Sequence, residues 1–210
     1  MAVVLLPHAV EHRQVAQYHA EEDKHMDTQE TDLKSIVAKR RIDIHDIIAA
    51  GKATTGRLNN PRKEELYQLS LDADCTTSFN ALYLFTHFDS HDLEWLQDRH
   101  GELIDRALCE TSQRKLRMLL TLLLKQPFDP TELRTDFLDF CLHRMTESSH
   151  PYAIRALCMK LACKQMTQFP ELTDELGMTL QLLDQQELSP GLLSARRQVE
   201  TKIKAARKRH

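Results

Sequence analysis

Three short stretches of this chain can be laid over one another. They are Phe79-Asn80-Ala81-Leu82, Leu116-Arg117-Met118-Leu119 and Ile154-Arg155-Ala156-Leu157, at steps of 37 and 38 residues, and a further 38 reaches Leu192. If two helices fill each period, every hairpin keeps an apolar face that it cannot hide alone, so neighbours must stack and share a core. Local punctuation agrees with that reading. Five of the seven prolines, Pro61, Pro130, Pro151, Pro170 and Pro190, stand where a helix is expected to begin, most of them after a polar residue. Proline lacks an N–H that would have no partner in the first turn, and its φ is already helical.

The apolar stripes divide the chain accordingly. Residues 1–30 carry no strong stripe and are expected to be a flexible or poorly ordered segment, with Met26 as an alternative start. From residue 31 to 210 a helical-repeat domain is expected. Leu33, Ile36, Val37, Ile44, Ile47 and Ile48 make its first stripe, broken at Arg40, with Gly51 after the last turn and a loop over 52–60. Seven helices are then expected to start near Pro61, Thr76, Ser90, Thr111, Asp129-Pro130, Pro151 and Pro170, and one more at Pro190. Phe79, Leu82 and Tyr83 are read as inward in the second of these. The third carries Leu93, Leu96, Leu103, Ile104 and Leu108, and Glu132 is placed to complete a capping box for the fifth.

Composition narrows the function. Glycine is scarce, aromatics are 6%, and no alternating Val/Ile/Thr runs occur, which favours helices over sheets. The net charge is −3, so a nucleic-acid or anionic-membrane role would need charge segregated on one face. The apolar run 116–124 is too short to span a bilayer, and the N-terminal Ala2–Leu6 patch lacks the basic flank of a signal peptide. The five cysteines form no C-x-x-C pair and read as small buried hydrophobes of a cytoplasmic protein.

An aliphatic residue followed by Arg, as in Leu116-Arg117 and Ile154-Arg155, resembles the second helix of a HEAT-type or armadillo-type repeat. The similarity covers roughly residue 60 to the C-terminus, although Asn80 and Leu193 stand where the arginine would be. It implies an all-α, right-handed α-α superhelix of stacked antiparallel hairpins, with second helices lining a concave surface. Such stacked hairpins present an extended surface, so an interaction scaffold is expected, and with no catalytic motif in the sequence neither an enzyme nor a cofactor is expected.

Charge follows the layers. The segment 90–109 is rich in acids, whereas 111–126 carries Arg114, Lys115, Arg117 and Lys125 with no acid. The segment 170–188 has no base, while the final helix carries Arg196, Arg197 and a run of lysines and arginines against Glu200. Arg155, Lys160 and Lys164 are unopposed between 149 and 168, and the pair at 60–88 breaks the pattern. Arg117, Lys125, Arg155, Lys160, Arg196 and Arg197 are therefore the candidate binding residues for a protein or acidic peptide. Pairing between layers would explain the same charges structurally. The alternative partner is nucleic acid, since HEAT-like DNA glycosylases for alkylated bases hold duplex DNA in a basic concave face.

Metal and catalytic readings are weaker. His8, His12 and His19 lie at helical spacing, and His87 and His91 flank a turn with Asp89 and Asp92; a polar tail and a capped turn account for them. Trp95, the single tryptophan, is read as a packing residue. No phosphate loop, nucleophile elbow or dinucleotide fingerprint occurs.

Overall fold

The computed structural model describes residues 31–208 except 130, 132 and 186, with the backbone alone at 170, 184 and 185. The expectations for residues 1–30, including the histidine cluster and Met26, lie outside the described residues, as does Glu132. Among the described residues all regular structure is helical: α1 Leu33–Val37, α2 Ile44–Thr54, α3 Asn60–Ser70, α4 Cys75–Phe85, α5 Ser90–Leu93, α6 His100–Cys109, α7 Gln113–Lys125, α8 Thr135–Thr146, α9 Tyr152–Met166, α10 Pro170–Gln181 and α11 Pro190–Arg207. No helix among them is long and apolar enough to cross a membrane.

Side-chain caps mark several of the helix starts. Asp43 and Asp46 form a reciprocal capping box at α2, and the Asp74 carboxylate accepts from the Thr77 N–H at 2.7 Å. Ser189 does the same for α11, with proline behind it. Such a cap stabilises a helix by about 1 kcal/mol.

The helices pair into hairpins α3/α4, α6/α7, α8/α9 and α10/α11. Within the stack the second helices form one continuous row, α4 against α7, α7 against α9 and α9 against α11. The first helices α6, α8 and α10 touch in a second layer, and α1 and α2 lie against α3 and α4. This is an all-α solenoid. Its core runs between the two layers through Leu66, Leu103, Leu119, Phe137, Cys141, Cys158, Leu176 and Val199, all essentially without solvent exposure. Each such leucine, phenylalanine or valine side chain contributes about 1.5–3 kcal/mol relative to an exposed position. Helix α9 packs against α7, α8, α10 and α11, and most of its residues between Ile154 and Met166 are buried, Arg155 and Gln165 among them.

Several expected boundaries move. The first stripe is two helices, and Gly51 lies inside α2 rather than after it; Ile44 and Ile48 are exposed while Asp46, Ala50 and Thr54 are buried. The expected loop at 52–60 is mostly helical, its turn made at Gly56 with φ 84°, a left-handed conformation open to glycine. The helix expected after Ser90 is broken into α5, a 3-10 stretch Glu94–Arg99, and α6. Helix α8 begins at Thr135, because the Asp129 carboxylate closes a local turn on the N–H and hydroxyl of Thr131 instead of capping a helix. In α4 the inward residues are Ala81, Leu82, Leu84 and Phe85; Phe79 and Tyr83 are only half-buried.

Candidate functional site

The solvent-facing stripe of the second-helix row has a register of its own. His87, Lys125, Lys164 and Lys202 recur at steps of 38, 39 and 38 residues: the first three lie within two residues of the end of a second helix, and Lys202 lies in the C-terminal half of α11. Two of them reach back to the helix before. Lys125 Nζ donates to the Thr86 carbonyl at the end of α4. Lys164 Nζ donates to the Leu124 carbonyl at 2.9 Å and to that of Gln126, at the end of α7. A helix leaves its last carbonyls without partners and carries a partial negative charge there, so a lysine at that point satisfies both. The rungs also feel one another. Burial and then Lys202 push the Lys164 ammonium down from its ordinary value, and burial and then Lys125 do the same to His87.

Acids are almost absent from this row. Helices α4, α7 and α9 contain none, and α11 contains Glu200 alone. The first helices instead carry Glu64, Glu65, Glu102, Asp105, Asp136, Asp139, Glu171, Asp174 and Glu175. Some of these find bases close by: Arg99 binds Glu64, and Arg134 lies between Asp105 and Asp136, at 2.7 Å from each. The segregation read from the sequence is thus a property of two packed layers.

The six candidate residues divide. Arg117 and Arg197 are exposed and Lys160 is half-buried, all on solvent-facing positions of α7, α11 and α9. Lys125 is exposed but holds the Thr86 carbonyl. Arg196 is half-buried and bonds Glu200 at 2.8 Å. It lines a groove of about 570 Å³ between α10 and α11, together with Glu200, Lys204 and Arg207. One period earlier the same positions of α9 are Cys158, Ala162 and Met166, all buried. Arg196 thus belongs to the polar side that α11 turns away from the stack.

Arg155 must be corrected outright. It is 1% exposed, its Nε donates to the Met145 carbonyl in the last turn of α8 at 3.1 Å, and burial pushes its guanidinium below the ordinary value. The chain path explains why: α9 packs on three sides, so a residue one place off its apolar stripe is still enclosed. Arg155 is an internal cap and has no surface to offer a partner.

Other expectations resolve into packing. Trp95 lies parallel to Phe85 at 6.4 Å and edge-on to Tyr67 at 6.1 Å, with the Arg99 guanidinium 4.0 Å above its ring. Asp89 caps α5 through the Asp92 N–H at 2.8 Å. Asp92 itself turns inward to Lys63, with Nζ to Oδ1 at 2.7 Å and both side chains buried. The Gly56 N–H adds a third contact at 2.9 Å. Among the described residues no group of three or more His, Cys, Asp or Glu is arranged to hold a metal ion. Cys141, Cys158 and Cys163 are buried, and burial pushes the Cys163 thiol up to about 11. Cys75 and Cys109 are exposed, against the sequence reading.

Sequence reasoning missed an aromatic end to the stripe. Phe79 and Tyr83 stack at 6.2 Å, His87 meets Tyr83 edge-on at 4.7 Å, and the Arg114 guanidinium lies 4.1 Å from the centre of Phe79. The i, i+4, i+8 spacing of Phe79, Tyr83 and His87 is the available signal; Phe79 and Tyr83 read as inward and His87 as part of a capped turn, so the three were not joined.

No curated protein matches the sequence. The model of the HEAT repeat domain family matches residues 35–203, from within α1 to within α11, and so takes in the first three hairpins and most of the fourth. With the two-layer stack and its continuous row of second helices, that match establishes that the chain belongs to the HEAT repeat family.

Proposed function

We propose that this chain is a non-catalytic cytoplasmic interaction module, which holds an acidic peptide or protein surface along the solvent stripe of its second-helix row. One observation carries the reading: α4, α7 and α9 bear no carboxylate, while Arg117, Lys125, Lys160, Lys164, Arg197 and Lys202 fall on or beside the stripe. The lysines that cap helix ends still contribute. A helix terminus offsets about half an elementary charge, so each capped ammonium keeps a net positive field. In the HEAT family second helices line the concave side, where the fields of adjacent helices add.

The test is fluorescence anisotropy with a labelled glutamate-rich peptide at two salt concentrations. Lys160→Glu with Arg197→Glu is expected to weaken binding about tenfold at low salt, since each reversal replaces an attraction with a repulsion of similar size. Both positions lie off the buried stripe, so the variant is expected to melt with the wild type. Absence of binding, or binding that the double variant leaves intact, contradicts the reading. Tighter binding to duplex DNA, with a salt slope of about −0.9 per phosphate contact, would move the function to nucleic acid.

A further inference from the structure

The basic stripe ends at a groove of a different character. Arg41, Ile42, Asp43, Ile44, Ile47 and Tyr83 line an open groove of about 560 Å³ where the start of α2 meets α4. Ile44 is 61% exposed there and Ile48, one turn on, 50%. Large apolar side chains seldom stand open side by side without a partner. The one carboxylate in the groove is engaged, Asp43 accepting from the N–H groups of His45 and Asp46. Arg41 is exposed at its rim.

Tyr83 joins the groove to the stripe. It lines the groove, stacks on Phe79, and meets His87 edge-on at 4.7 Å, and His87 lies beside Lys125. An apolar socket and a ladder of cations therefore form one continuous surface from α2 to α11. Resting on the reading above, we infer that the partner is an extended acidic segment of another protein carrying one large apolar side chain. That side chain seats between Ile44, Ile47 and Tyr83, and the carboxylates run along Lys125, Lys160 and Lys202. Adjacent helices lie about 10 Å apart, so the three steps from α4 to α11 cover ~30 Å, the length of about nine extended residues. The socket gives such a segment a register that a row of exposed charges alone would not supply, because each exposed pair is weak and mobile.

The test uses the full chain and three fluorescein-labelled peptides of about twelve residues, enough to span the stripe. All are glutamate-rich. One has a single leucine near its N-terminus, one near its C-terminus, and one has alanine in place of leucine. At least one leucine peptide is expected to bind about fivefold or more tighter than the alanine peptide, the effect of half-burying a leucine. Ile44→Asn, at an exposed position, is expected to erase that advantage and leave the alanine peptide unchanged. Leucine and alanine peptides of equal affinity would overturn the socket while leaving the acidic-partner reading intact. A leucine advantage that survives Ile44→Asn would overturn it as well. If no peptide binds, both fall.

Discussion

Asp92 is pulled in opposite directions by its surroundings. Burial disfavours its charge, but the Lys63 ammonium and the Gly56 N–H outweigh that and hold the carboxyl below the usual carboxylate range. A buried pair of this kind adds little net stability, yet removing one partner strands the other. Asp92→Ala is expected to cost about 3–5 kcal/mol in urea unfolding, because it leaves Lys63 buried without a counter-charge. The pH dependence follows from the direction of the shift. A carboxyl depressed in the folded state contributes stability above its ordinary value of 3.8, and that contribution is lost as pH falls through the lower folded value. Wild-type stability should therefore fall more steeply with acid than that of the variant; parallel acid transitions would contradict the account. Neither Lys63 nor Asp92 was legible as buried. A polar residue on a helix is assigned to solvent by pattern, and its partner here lies 29 positions away.

At the scale of the helix, the recurring device is a side chain that satisfies the end of another helix. Arg106 donates to the Ser70 carbonyl at the end of α3. Lys125 and Lys164 serve α4 and α7, and Arg155 serves α8. Asn80 donates to the Val37 and Lys39 carbonyls at the end of α1, both at 2.8 Å. Asn80 thus has an internal bonding role, although the sequence pattern treated it as a lapse in an arginine ladder. Arg155→Leu is expected to cost about 1.5–3 kcal/mol, the scale for losing a buried hydrogen bond to a charged group. Arg155→Lys should recover part of it, as read by thermal and urea unfolding. A Leu variant as stable as the wild type would remove the internal cap. Helix starts were legible at Pro61, Pro170 and Pro190, where proline stands in the first turn and, at Pro190, the Ser189 side chain adds a cap. The break within 90–109 was not. Its apolar residues keep a helical rhythm, while the 3-10 stretch buries Leu96 and sets Trp95 against Tyr67 of α3 and Phe85 of α4.

For the whole molecule, the order of stacking converts a charge count near zero into a two-sided object. The net charge of −3 conceals a second-helix row with one carboxylate and a first-helix layer rich in them. The repeat period was legible because each hairpin must bury its apolar face on the next. The use of each base was not, because a lysine capping a carbonyl and a lysine awaiting a ligand look alike in sequence. Arg155 shows the cost of that ambiguity, and of the six candidate residues Arg117, Lys160 and Arg197 are the ones left open on the stripe.

The working face is tested most directly by hydrogen exchange with mass spectrometry on the full chain, alone and saturated with a glutamate-rich peptide. The account predicts slower exchange in peptides from α4, α7, α9 and α11 and at the start of α2, with α3, α6, α8 and α10 unchanged. Protection confined to the first-helix layer, or spread evenly over both, would contradict it.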